Sequence, residues 1–202
     1  MNSELVFTTP IFYDILDLDI KSIKEYCYTL RGQSDGRTRS NVLGWQSNDV
    51  QDDEDLKPMI DAINENLKEI HSYYKIKPEY ELVVSNVWIN INYKHSFNKN
   101  HVHYNSFFSG SFYVEVPENS GNINFINPAY LQEAFVVPNF SKFTSLTEPT
   151  AVTWTYKPQP NMLIAFPSWL EHNVDQNMND SDRISIAFNT DIVDKTYLIN
   201  TR

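Results

Sequence analysis

The sequence predicts a mainly β domain: a double-stranded β-helix (jelly-roll, cupin-like) barrel with two supporting N-terminal helices. Three observations carry this expectation. Two amphipathic helical segments fall within the first 79 residues. Near Tyr80 the hydrophobic period changes from helical to two, the alternation of a strand. From there about eight short strand candidates follow, separated by turn-forming residues. The chain of 202 residues reads as one domain, with 1–79 as helical support, 80–192 as the jelly-roll core and 193–202 as a C-terminal tail.

Leu5 to Phe12 is a short extended start, held out of helix near Pro10. Asp19 can cap a helix running to about Leu30, with Ile20, Ile23, Cys27 and Leu30 on one face and Gly32 at its end. Residues 33–51 are polar and turn-rich, with Trp45 as their large apolar anchor. A second helix spans about Asp55 to Tyr74: Leu56, Met59, Ile60, Ile63, Leu67 and Ile70 form its apolar stripe, and Pro58 sits in its first turn. Beyond Tyr80, Val87, Ile89, Ile91 and Tyr93 alternate with Trp88, Asn90 and Asn92. Further strands are expected over 109–116, 122–126, 151–156, 162–166, 169–174 and 183–190. Turns separate them at Pro117 to Gly121, Lys157 to Asn161 and Asp175 to Asp182. Residues 127–150 read as a long connection without periodicity, a length often used for lids and binding loops.

Composition narrows the function. The chain is 41% hydrophobic and 14% aromatic, and the aromatics favour strands. Its formal net charge is −10, so duplex nucleic acid, whose phosphates need a basic surface, is not an expected partner. Cys27 is the only cysteine, which excludes an intrachain disulfide and fits a reducing compartment. No stretch approaches the roughly 20 apolar residues of a membrane span, and the start shows no signal-peptide pattern. The expected setting is cytoplasmic, a host's cytoplasm if the protein is viral.

Three of the five histidines stand out. His101 and His103 are two apart, so in a strand both point to one face. His172 lies far downstream, where a neighbouring strand can bring it alongside. Neutral imidazole is a good ligand for Fe, Zn, Ni and Cu, and three ligands on one face leave coordination positions open. His71, on the polar side of a helix, and His95, in a turn, read as ordinary histidines.

Eleven residues after His172 comes Arg183-Ile184-Ser185. Arg183 and Ser185 share a strand face, and a guanidinium and hydroxyl pointing into a barrel make a carboxylate clamp. The plainer alternative pairs Arg183 with Asp180 or Asp182 on the surface. Tyr93 is either a third donor to the same carboxylate or an amphipathic core tyrosine.

The pattern His101-x-His103, then His172, then Arg183-x-Ser185 resembles the Fe(II)- and 2-oxoglutarate-dependent oxygenases, whose sites carry His-x-Asp or His-x-Glu, a distant His, and an Arg about ten residues on. More narrowly, Gly44-Trp45-Gln46-Ser47, Trp88-Ile89-Asn90, Ser109-Gly110 with Tyr113, Phe125 to Pro128, Phe166 to His172 and Arg183 to Asn189 resemble a subfamily common in marine bacteria and phages. The resemblance implies Fe(II) on His101 and His172, and 2-oxoglutarate as cosubstrate with its far carboxylate on Arg183 and Ser185, assisted by Tyr93. It implies a hydroxylase-type oxidation releasing succinate and CO2. One departure is that His103 stands where the family has a carboxylate, which would make the metal triad His101, His103 and His172. Glu171 in a strand would face away from His172, and Asn105 is a weaker ligand.

Two other readings stay open at this level. One is an all-His cupin-type metalloenzyme that does not use 2-oxoglutarate, which would leave Arg183 and Ser185 without a carboxylate to hold. The other is a non-catalytic jelly-roll binding module, which would leave the three histidines unexplained. The substrate, a small molecule or a protein side chain, is expected to be shaped by loops 33–51 and 127–150, and a homodimer is allowed.

Overall fold

A computed structural model describes residues 1–196, apart from the side chain of Tyr130. After a first strand, β1 (Phe12–Ile15), helix α1 (Ile20–Arg31) starts at Asp19, whose carboxylate accepts from the Ser22 backbone N–H and hydroxyl. Two two-residue strands, β2 (Asn41–Val42) and β3 (Trp45–Gln46), lie in the segment read as turns. A single 3-10 turn (Glu54–Leu56) leads into α2 (Lys57–Tyr73), with Pro58 in its first turn.

Eight more strands follow: β4 (Tyr80–Asn92), β5 (Phe97–His101), β6 (Phe108–Glu115), β7 (Ile123–Ile126), β8 (Thr153–Tyr156), β9 (Met162–Pro167), β10 (His172–Val174) and β11 (Arg183–Asp194). They form two antiparallel sheets, one in the order β1-β9-β6-β11-β4-β3 and the other β2-β5-β10-β7-β8. This is the expected double-stranded β-helix. Three expectations need correction. The connection 127–150 contains a short helix, α3 (Tyr130–Val136), and a 3-10 segment (Val137–Lys142). The core does not end at residue 192, because β11 pairs with β4 as far as Asp194; residues 197–202 of the expected tail lie outside the described residues. The strand carrying the first histidine ends at His101, so His103 lies just beyond it.

The six-stranded sheet is covered on its outer face by the two helices. Its outer face (Val87, Ile89, Ile91, Phe112, Ile184, Ile186, Phe188) packs on Ile23 and Cys27 of α1 and on Met59, Ile63, Leu67 and Ile70 of α2. That is the apolar stripe of each helix meeting the apolar parity of each strand. Gly110 is required here: a Cβ would lie 2.3 Å from the Phe188 ring and 2.4 Å from the Ile164 carbonyl oxygen. A second cluster, with Tyr113, Ile164 and Phe166 on one sheet and Ile123 and Phe125 on the other, fills one end of the space between the sheets. The other end of that space is open.

Candidate metal and cosubstrate site

The open end is a cavity of about 840 Å³. Its floor follows from strand register. Along β11, Arg183, Ser185, Ala187 and Asn189 face inward; opposite them on β4 stand Asn92, Asn90, Trp88 and Asn86. On the other flank, a register shift between Ile184 and Ser185 sets Tyr113, Ser111 and Ser109 of β6 against Ser185, Ala187 and Asn189. The bulge keeps Tyr113 and Ser185 on one side of the sheet.

The three histidines meet on the facing sheet. His172 of β10 pairs directly with His101 of β5 and with Phe125 of β7. His103 is drawn in by its backbone N–H, which donates to the Ser168 carbonyl at 2.9 Å, and its ring stacks on Trp88. One nitrogen from each of His101, His103 and His172 lies within 4.8 Å of the others, and the Nε2 atoms of His103 and His172 are 3.3 Å apart. Among the described residues this is the one cluster of three or more His, Cys, Asp or Glu side chains with metal-ligand spacing.

Two backbone contacts fix the ring orientations. His101 Nδ1–H donates to the Lys99 carbonyl at 2.7 Å, and His172 Nδ1–H to the Leu170 carbonyl at 2.9 Å. Each leaves the Nε2 lone pair free, the arrangement that outer-shell partners of metal-binding histidines create. Burial pushes all three imidazoles below their ordinary range, His103 to about 4 and His172 to about 3, helped in both by the charge of His101. At neutral pH the cluster is therefore uncharged, which is its ligand form. No carboxylate joins it: Glu171 accepts from Asn100 Nδ2, outside the cavity wall; the amide of Asn105 is likewise exposed and outside it. His71 and His95 lie elsewhere, the first beside the Tyr80 carbonyl and the second in a turn.

Arg183 lies across the same cavity, 1% exposed. The surface-pair alternative fails. Asp180 is bonded to Lys94, Asp182 accepts from the Tyr28 hydroxyl, and no described carboxylate forms an ion pair with Arg183. Asp175, whose charge reaches it, is exposed and held by Asn122 and Asn124. One guanidinium nitrogen donates to the Ser120 carbonyl at 2.8 Å, while Nε is buried without a partner. Asn90 Oδ1, also on the cavity wall, is a second buried polar atom without a partner. A buried cation left this way is costly unless an anion completes it. Ser185, 7% exposed and two residues on, stands beside it as expected.

Tyr93 does not join this group. It stands on the same parity as Ile89 and Ile91, packs against the helix-backed core, and its hydroxyl accepts from Arg31 Nε at 2.8 Å. Tyr113 takes the place expected for it: inward, 2% exposed, and paired with Ser185 across the strands. Burial pushes its phenol up to about 12, with the Arg183 charge pulling the other way, so it is a protonated donor at neutral pH. The parity that separates the two tyrosines was present in the sequence; the register that sets Tyr113 opposite Ser185 was not. Of the two loops expected to shape the substrate, Arg37 to Ser40 and Gln46 line the cavity, whereas none of the described side chains of 127–150 does.

A family model described as "Putative 2OG-Fe(II) oxygenase" matches residues 86–189, the stretch holding all three histidines, Arg183 and Ser185. No curated protein matches the chain in sequence. Among solved structures, a Pseudomonas putida prolyl-4-hydroxylase is similar at 12% identity over 90% of this chain and 93% of that one, with a TM-score of 0.62. The non-heme alpha ketoglutarate dependent epimerase SnoN from nogalamycin biosynthesis is similar at 11% identity over 90% of this chain and 76% of that one, TM-score 0.65. HygX from Streptomyces hygroscopicus, solved with nickel and 2-oxoglutarate bound, matches at 9% identity over 91% and 83%, TM-score 0.56. These structural likenesses bear on the fold.

Proposed function

The chain belongs to the 2-oxoglutarate/Fe(II)-dependent oxygenase family, and on that premise we propose that His101, His103 and His172 hold the iron while Arg183, Ser185 and Tyr113 hold the cosubstrate. The observation that carries this reading is the pairing, in one cavity, of three convergent neutral imidazoles with a buried guanidinium that no described carboxylate pairs with. The donor set fits the metal, because imidazole suits iron. The clamp fits the cosubstrate, because a dicarboxylate has one carboxylate for the metal and one for Arg183.

Iron together with 2-oxoglutarate supplies the oxidising chemistry, consuming O2 and yielding succinate, CO2 and an oxidised, in the simplest case hydroxylated, substrate. The residues of this chain do the rest. Lys99 and Leu170 carbonyls hold two imidazoles with Nε2 forward. Trp88 and Phe166 wall the third histidine. Arg183, Ser185 and the protonated Tyr113 present donors to the far carboxylate. An all-imidazole triad contributes no negative charge, so the dianionic cosubstrate becomes the metal's main charge partner, and binding of the two should be strongly coupled.

The alternative cupin-type reading leaves the buried Arg183 without a counter-ion, and a pure binding module leaves the three Nε2 atoms without a purpose; the family match weighs against both. No helix among the described residues is long and apolar enough to cross a membrane, and a cytoplasmic setting, a marine bacterial or phage origin and a homodimer remain part of the proposal. The test is metal binding by equilibrium dialysis with Fe(II) under anaerobic conditions. His172→Ala should remove tight binding; a variant that binds as tightly as the parent places the metal elsewhere.

A further inference from the structure

The charge of the cavity opposes the charge of the chain. The protein carries 26 acidic and 16 basic residues. Yet no Asp or Glu lines the cavity, while Arg37, Arg39, Lys99 and Arg183 do. Arg183, at the buried end, is taken up by the cosubstrate in the reading above. The other three stand together on a different wall, where the segment before β2 meets β5, and Lys99 is two residues from His101. None of the three forms an ion pair among the described residues. Arg37 Nε is buried with no hydrogen-bond partner. Burial and the neighbouring Arg39 push the Arg37 guanidinium below its ordinary range, against the opposing pull of the Asp49 charge.

Arg37 is half-buried and Arg39 and Lys99 are exposed, and the backbone that carries them is held by a scaffold. Gly36 adopts a positive φ of +71°, and a Cβ there would lie 2.5 Å from the Gln46 carbonyl oxygen and 2.6 Å from Trp45 Nε1. Arg37 N–H donates to the Gln46 carbonyl at 2.8 Å. Arg39 N–H donates to Asn41 Oδ1 at 2.7 Å, and Asn41 Nδ2 returns to the Arg37 and Gly44 carbonyls. Trp45 Nε1 is tied to the Ser34 carbonyl, and Ser40 is tied to Asn98 and to the Lys99 N–H. The backbone beside each cation is thus fixed, and two like charges are held close at an electrostatic cost that a bound anion would offset.

We propose that the primary substrate is a small molecule carrying an oxyanion, a carboxylate or a phosphate ester, which Arg37 and Arg39 bind so that the rest of the molecule extends toward the histidine cluster. Lys99 adds charge on the histidine side. Planar guanidinium groups match either oxyanion with paired hydrogen bonds. This rests on the oxygenase reading of the cavity and adds the class of molecule that enters it.

The experiment titrates the anaerobic complex of the protein with Fe(II) and 2-oxoglutarate with three probes: phenyl phosphate, benzoate and neutral benzyl alcohol. Calorimetry reads probe binding, and the visible charge-transfer absorption of the iron chelate reads whether 2-oxoglutarate stays in place. At least one anionic probe should bind with the absorption retained, benzyl alcohol far more weakly, and the tighter anion identifies which oxyanion the site prefers. The double variant R37Q/R39Q should weaken that anion by roughly tenfold or more, and R37K/R39K, which keeps the charge, should recover part of the loss. The proposal is overturned if no anionic probe binds, if benzyl alcohol binds as tightly, if R37Q/R39Q leaves anion affinity unchanged, or if the probe displaces 2-oxoglutarate. Should the parent form no chelate absorption, the oxygenase reading fails separately, and calorimetry of the same probes on the same protein still decides the role of the two arginines.

Discussion

The two faces of β4 and β11 are made from alternate residues of the same strands, and they do opposite things. The outward set, Val87, Ile89, Ile91, Ile184, Ile186 and Phe188, is fully buried, apolar and closed by two helices. The inward set, Asn86, Trp88, Asn90, Asn92, Arg183, Ser185 and Asn189, is as regular but polar, and it lines a cavity apart from Asn92. Burial alone is not the difference, since Arg183 and Asn92 are nearly as enclosed as the apolar set. The difference is satisfaction. Inside, Arg183 Nε and Asn90 Oδ1 are buried without a hydrogen-bond partner. A buried polar face left incomplete in this way costs stability that a bound ligand would restore.

The comparison breaks if substitutions on the two faces have the same consequence. The largest stability loss is expected outside: Phe188→Ala should cost about 3–5 kcal/mol in denaturant unfolding, with cosubstrate affinity of the folded protein little changed. Gly110→Ala, which drives a Cβ into that same ring and a backbone carbonyl, should cost about 1–3 kcal/mol for the same reason in reverse. Inside, Arg183→Leu should leave stability unchanged or raised, because it removes an incompletely paired buried cation. It should weaken 2-oxoglutarate by on the order of 2–5 kcal/mol in calorimetry while sparing the metal. A stability loss as large as that of Phe188→Ala, with cosubstrate binding intact, would make Arg183 a structural residue.

The two tyrosines give the finest version of the test. Tyr113→Phe should weaken 2-oxoglutarate by about 0.5–1.5 kcal/mol, read by the same titration. Tyr93→Phe, which loses a bond to the exposed Arg31 on the outer face, should leave cosubstrate affinity where it was. The opposite ranking would return Tyr93 to the site.

Those tyrosines also mark how far the sequence could be read. Helices α1 and α2 were legible because their apolar stripes repeat at helical spacing and Asp19 and Gly32 punctuate the first. The long strands were legible because their faces differ so sharply in polarity. The Arg-x-Ser pair followed from parity, and the histidines from residue type and spacing. What escaped were features with no period to detect. β2 and β3 are two residues each and exist only by pairing with β5 and β4. The helix at Tyr130–Val136 leaves Leu131 and Phe135 exposed, so it shows no buried stripe. His103 reaches the cluster from beyond its strand through the contact to Ser168, a long-range pairing. The bulge that sets Tyr113 against Ser185 is a register choice, and register is written in the partner strand as much as in the strand itself. The arginines before β2 carried no signal at all until the fold placed them beside the histidines.

We propose one cavity with iron on three histidines and 2-oxoglutarate on Arg183. The direct measurement is an anaerobic titration of the protein with Fe(II) and then 2-oxoglutarate, followed by the visible charge-transfer absorption of the chelate. The parent should develop the absorption, Arg183→Leu should develop it only at higher 2-oxoglutarate concentration, and His172→Ala should not develop it. An absorption absent from the parent, or undiminished in His172→Ala, would place the iron or the cosubstrate elsewhere.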